Sequence, residues 1–286
     1  MMIPLIATAL LLMSPQAPAS QTAPAAAVPA ARDEKLPASE TQAKAALDKS
    51  PRHGEFVDVK NPAGGPAIRT WVMYPERKEK AGVVLVIHEI FGLSDWARAV
   101  ADQLAREGFI AVVPDLVSGM GPGGKGSDSS ASRDDVVSLV RALTPDEATA
   151  RLNAVRDYAV HLPSANGKIA TVGFCWGGGQ SFSYAVTQPT LAGAVVYYGT
   201  PPAPGDMARL KAPVLGFYGG DDARVTATVA ATETEMKKLG KTYEPHVFEG
   251  AGHGFLRAQD DRNGANLKAT QQAWPRTVAF LRGQLK

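Results

Sequence analysis

The feature that most constrains this chain is a regular alternation of short β-branched apolar runs with amphipathic helical stretches. Residues 83–87 are apolar without a break, as a strand covered on both faces requires, and residues 109–113 repeat the pattern. Between these runs Ser94 is placed to cap a helix that aligns Ala97, Val100, Ala101, Leu104 and Ala105 on one face and ends at Gly108. Thr144-Pro145-Asp146-Glu147 opens another helix with a cap, a first-turn proline and a capping box. Its inward face is Ala148, Leu152, Val155, Ala159 and Leu162. A further strand is predicted over 67–74, and others over 169–174, 192–198, 214–218 and 243–248 with helices between these four and a last helix over about 268–285. Strands and helices in strict turn predict an α/β fold: a single domain with a mostly parallel central sheet and helices on both faces.

The two ends of the chain differ. Residues 3–13 form an apolar run followed by Ala17-Pro18-Ala19, small residues placed as an export peptidase needs them. This reads as a signal peptide over 1–19, although no Lys or Arg precedes the run, and it predicts an exported, periplasmic or secreted protein. The run is too short to span a bilayer, so no stable membrane insertion of the mature chain is expected. Residues 20–54 read as an Ala/Pro-rich linker with a short polar helix over 38–49, which starts the folded domain near Glu55. The 30 Lys and Arg nearly balance 28 Asp and Glu, and no basic stripe is interleaved with aromatics, so a nucleic-acid partner is not expected.

A single cysteine, Cys175, excludes an internal disulfide and a thiolate-only metal site. It stands in Gly173-Phe174-Cys175-Trp176-Gly177, where a buried strand stops and a small-residue helix starts. This is the G-x-nucleophile-x-G turn with Cys in place of Ser. A nucleophile there must project above the sheet edge on a strained turn. Side chains two residues away on either side would collide with neighbouring backbone, hence the two glycines. The amide of the following residue, Trp176, is then directed at a developing oxyanion. An ordinary thiol, with a pKa of about 8.5, is mostly protonated at neutral pH and needs a partner.

In this architecture the partners follow in the order nucleophile, acid, histidine. Gly219-Gly220-Asp221-Asp222 follows a strand, and Asp222 is preferred as the acid because Val225 falls where such loops enter the next helix; Asp221 is the alternative. His253 lies in Gly250-Ala251-Gly252-His253-Gly254-Phe255, a glycine-rich loop rather than an apolar face. His53, His88, His161 and His246 have no second His or Cys at ligand spacing, so neither a metal site nor a cofactor is expected.

His88-Glu89-Ile90-Phe91-Gly92, the Cys175 turn extended by Gly178, the Asp222 loop and Ala251-Gly252-His253-Gly254-Phe255 together resemble the dienelactone hydrolase family over about residues 55–285. The resemblance implies an α/β-hydrolase fold and cleavage of a small ester or lactone through a thioester on Cys175. His253 is implied as base and Asp222 as its orienter, with the Ile90 and Trp176 amides as the oxyanion hole. Glu89 is implied to lie beside the resting thiol, and Arg257 to bind a substrate carboxylate. A carboxylate drawing Arg257 from Glu89 would leave Glu89 the stronger base, able to take the thiol proton. The sequence departs from the family at the second carboxylate-binding arginine, expected soon after Pro114-Asp115-Leu116. Val117-Ser118-Gly119-Met120 stands there, and the next arginine is Arg133. This departure weakens dienelactone itself as the substrate. The competing expectations are a small-molecule-binding protein that has kept the pocket, and a thiol redox sensor, disfavoured because the chain holds no resolving cysteine.

Overall fold

The structure, a computed structural model, describes residues 32–286; the apolar run at 3–13, the signal peptide over 1–19 and the first part of the expected linker lie outside the described residues. In chain order the elements are α1 (Glu40–Asp48), β1 (Gly54–Val59), β2 (Ile68–Met73), β3 (Ala81–Ile87), α2 (Asp95–Arg106), β4 (Ile110–Pro114), α3 (Arg133–Ala142) and α4 (Pro145–Val160). They continue with β5 (Ala165–Phe174), α5 (Trp176–Thr187), β6 (Ala194–Tyr197), β7 (Val214–Gly219), α6 (Ala223–Thr226), α7 (Val229–Lys238), β8 (Tyr243–Phe248) and α8 (Ala265–Gln284). All eight strands join one sheet in the order β1-β2-β4-β3-β5-β6-β7-β8. The β1–β2 and β2–β4 pairs are antiparallel, and every pair from β4 to β8 is parallel. No helix among the described residues is long and apolar enough to cross a membrane.

β3 shows why an unbroken apolar run is needed. Val84 and Val86 enter a core shared with α1, α2 and α8, while Val83, Leu85 and Ile87 enter the opposite core with α4, α5 and α7. A polar residue at any of these positions would be buried without a partner. The expected caps are present: Ser94 accepts from the Ala97 amide at the start of α2, and Thr144 and Glu147 form a reciprocal box at the start of α4.

The amino-terminal boundary differs from the sequence expectation. The compact unit starts at Arg32, not near Glu55, and Leu36, Ala38 and Ala43 are buried in the core. The short polar helix foreseen over 38–49 is α1, and it packs on α2. Hydrogen bonds add to that apolar contact just ahead of the helix: Trp96 Nε1 donates to the Ala38 carbonyl at 3.1 Å, and Gln259 Nε2 to the Pro37 carbonyl at 2.9 Å.

Candidate active site

Cys175, Asp222 and His253 all follow strands of the parallel sheet, just beyond the ends of β5, β7 and β8, so the common strand direction brings them to one edge. This is where an open α/β sheet places its crevice. Cys175 adopts φ 55° and ψ −117°, a left-handed conformation that costs a non-glycine residue about 1–3 kcal/mol. Backbone hydrogen bonds hold it there. Its amide donates to the Tyr197 carbonyl at 3.0 Å, and its carbonyl accepts from the Gly178 amide at 3.0 Å. The flanking glycines are sterically required. A Cβ on Gly173 would lie 1.9 Å from the Gly177 carbonyl oxygen, and one on Gly177 would lie 2.3 Å from the carbonyl oxygens of Ile87 and His88.

His253 Nε2 is 3.0 Å from Cys175 Sγ, and its Nδ1 donates to Asp222 Oδ2 at 2.6 Å. Burial opposes a charge on His253, but the hydrogen bonds to Cys175 and Asp222 outweigh it and push the imidazole pKa up to about 9. The two neighbouring acids separate by environment. Asp222 is 7% exposed and faces the imidazole, whereas Asp221 is 48% exposed and pairs with Arg262 at 2.9 Å. The His253 loop is tied down by buried Asn266 of α8, which accepts from the Gly252 amide at 2.9 Å and donates to the Ala258 carbonyl at 2.7 Å.

The segment after β3 supplies the opposite wall. Among the described residues, neither the Ile90 amide nor the Trp176 amide has a protein acceptor. The peptide between Glu89 and Ile90 is held by His88, which is wholly buried and stacks on Trp176 at 5.6 Å. The Leu116 amide donates to its Nε2 at 3.2 Å, so Nδ1 carries the proton and donates to the Glu89 carbonyl at 2.7 Å. Burial lowers the pKa of His88 and keeps it neutral, in keeping with that tautomer.

The Glu89 carboxylate, 3% exposed, accepts from Tyr198 Oη at 3.2 Å and from Arg257 Nε at 2.6 Å. Burial pushes its pKa up while Arg257 pulls it down, and burial prevails. The hydrogen-bond partner of the thiol is His253 Nε2, and the oxygens of Glu89 are engaged by Tyr198 and Arg257. The Tyr198 ring stands edge-on to His253 with centroids 5.1 Å apart. Ile90 and Trp176 also border a small apolar cluster with Val117, Met120, Val136, Leu139 and Val140.

Seven residues expected at the site, Glu89, Ile90, Cys175, Trp176, Asp222, His253 and Arg257, are therefore brought together at one edge of the sheet. Three others went unforeseen. Tyr198 could have been noticed as a polar tip on the last residue of an apolar run. Asn266 and Glu40 carry no local signal, and Glu40 pairs at the rim with Arg133, the arginine noted above as lying beyond the family's expected position. Among the described residues, no three His, Cys, Asp or Glu side chains converge where a metal ion could sit.

A mostly parallel sheet with a strained strand-to-helix elbow at its carboxyl edge defines an α/β-hydrolase. More narrowly, the chain belongs to the dienelactone hydrolase family, whose sequence profile matches residues 68–285. It is therefore a hydrolase of the ester- and lactone-cleaving type. A carboxymethylenebutenolidase of Pseudomonas putida is 31% identical over 207 residues, covering 71% of this chain and 86% of that protein. A candidate carboxymethylenebutenolidase of Saccharolobus solfataricus is 30% identical over 250 residues, covering 76% and 95%. The crystal structure of a candidate dienelactone hydrolase from Klebsiella pneumoniae superposes with a TM-score of 0.69 at 26% identity, covering 80% of this chain and 99% of that one.

Proposed function

We propose that this hydrolase cleaves small esters or lactones through a covalent thioester on Cys175, with His253 as its acid–base and Asp222 as the orienting acid. The observation that carries this reading is the continuous line from Asp222 through His253 to the thiol, at 2.6 Å and 3.0 Å. His253, whose raised pKa favours the imidazolium, holds the proton of the Cys175–His253 pair, and the thiolate attacks the substrate carbonyl carbon. The Ile90 and Trp176 amides, fixed by the His88 contacts and the elbow, stabilise the oxyanion. As the tetrahedral intermediate collapses, the carbon–oxygen bond breaks and the proton on Nε2 passes to the departing alkoxide. Water then enters, gives its proton to His253 and attacks the thioester; the carbon–sulfur bond breaks, and the acid leaves.

While Arg257 stays on Glu89, the base for the first step is His253. A substrate that draws Arg257 away frees Glu89, whose burial already favours the protonated form, to accept the thiol proton instead. Export remains part of the proposal on residues 1–19 alone, tested by the amino-terminal sequence of protein recovered from a periplasmic fraction.

The test is hydrolysis of a panel of 4-nitrophenyl esters by wild type and Cys175→Ala, with circular dichroism to establish that both are folded. A folded Cys175→Ala that retains wild-type turnover would remove the thiol from the mechanism. Detection by mass spectrometry of an acyl adduct on Cys175, formed from a slow ester and discharged by water, supports it directly.

A further inference from the structure

α1 delivers a carboxylate to the rim of the site from outside the span matched by the family profile. The first residue of this helix, Glu40, donates its amide to the Arg257 carbonyl at 2.9 Å, and the next, Thr41, donates its hydroxyl to Asp260 at 2.9 Å. With the Pro37 and Ala38 contacts described above, these bonds seat the start of the helix on the loop that carries His253. The Glu40 side chain then bridges two cations, one oxygen accepting from Arg257 Nη1 and the other from Arg133 Nη2. Both guanidinium groups lie on the same ring, Phe91, at 3.8 Å for Arg133 and 5.1 Å for Arg257, one residue beyond Ile90.

We propose that Glu40 is a specificity-determining residue: it fills the anion subsite formed by Arg133 and Arg257, making this hydrolase selective for neutral esters and lactones over those bearing a carboxylate. The proposal rests on the hydrolytic reading above and names the substrate class for it. The pairing carries the argument. Glu40 accepts a hydrogen bond from each guanidinium and Glu89 accepts a second from Arg257, so neither cation is left unpaired to attract an anion. Both faces of Arg257 that donate here are also occupied, Nε by Glu89 and Nη1 by Glu40. An incoming carboxylate would have to displace Glu40 from charge-assisted hydrogen bonds and a helix start that favours negative charge. A neutral acyl group meets no such opposition, and the apolar cluster beside Ile90 and Trp176 offers it contact. Arg133 thus stands among the basic groups near the site, but in the resting protein its partner is the chain's own acid.

The test compares mono(4-nitrophenyl) glutarate with its methyl ester, two substrates of nearly equal shape that differ in charge. Wild type should favour the methyl ester. In Glu40→Gln, which keeps the side-chain shape, the ratio of kcat/KM for neutral over anionic ester should fall by about tenfold or more, the scale of one charge-assisted hydrogen bond. The double variant Glu40→Gln, Arg133→Gln should restore most of the wild-type ratio. An unchanged ratio in Glu40→Gln overturns the proposal. Calorimetric titration of the same proteins with glutarate gives a readout independent of catalysis. Glu40→Gln should bind it about tenfold more tightly than wild type, and the double variant should lose that gain; equal affinities overturn the subsite. If no variant hydrolyses either ester but the glutarate affinities follow this order, the hydrolytic reading falls and the anion subsite stands.

Discussion

Asp222 and His253, 31 residues apart in the chain, are joined by a 2.6 Å hydrogen bond in which the carboxylate is almost fully buried and the imidazole only partly so. Burying one side of the pair fixes the imidazole tautomer and leaves the other nitrogen free to serve the thiol. Asp222→Asn should lower kcat by about 10²–10⁴-fold, because an amide can favour the wrong tautomer. Asp221→Asn, which loses only a half-exposed pair with Arg262, should change kcat by less than about threefold. Steady-state kinetics on one ester decide the matter, and the reverse order of effects would transfer the role to Asp221.

His253 also ties stability to pH. Its folded-state pKa, near 9, lies above the ordinary 6.5, so the protonated imidazole stabilises the fold in full below about pH 6.5. That contribution declines as pH rises and is lost above about 9. The Tm advantage of wild type over His253→Gln should therefore shrink steadily from pH 6 to pH 10. A constant advantage over that range would refute the linkage.

His88 acts through the Glu89–Ile90 peptide rather than on substrate. Replacing it with Leu removes the acceptor for the Leu116 amide and the donor to the Glu89 carbonyl, which frees the peptide to rotate. We expect kcat to fall by about tenfold or more with little change in KM, since an oxyanion donor matters chiefly in the transition state. His88→Gln, able to offer both an acceptor and a donor, should recover part of the loss. A Leu variant that loses stability but keeps kcat would restrict His88 to packing.

Asn266→Ala leaves the Gly252 amide and the Ala258 carbonyl without their buried partner. Destabilisation of about 2–3 kcal/mol in urea unfolding is expected, together with lower activity from a loosened His253 loop. A stability change below about 0.5 kcal/mol would mean that water replaces the amide without cost.

Much of the fold is legible in the chain because its signals are local. The apolar run at 83–87, the Ser94 cap and the Thr144 box each determine their element through neighbours within a few residues, and the alternation of strand and helix over much of the chain then favours a largely parallel sheet. The Cys175 elbow is equally local, since its two glycines are demanded by backbone a few ångströms away. Its partners were legible as an ordered set of loop residues, although Asp221 and Asp222 could be told apart only when one faced the imidazole and the other faced Arg262.

What the tertiary structure alone decided is which charges meet. Glu40 lies 217 residues before Arg257 and 93 before Arg133, in a segment that reads as a short polar helix ahead of the domain. No periodicity connects these three residues, because an ion pair needs only proximity and the docking of α1 supplies it through a few backbone and side-chain hydrogen bonds. The sequence by itself determined the elbow at Cys175 and the ordered loops that follow it; the charge pairing at the rim was settled by how a distant helix folds back onto the histidine loop.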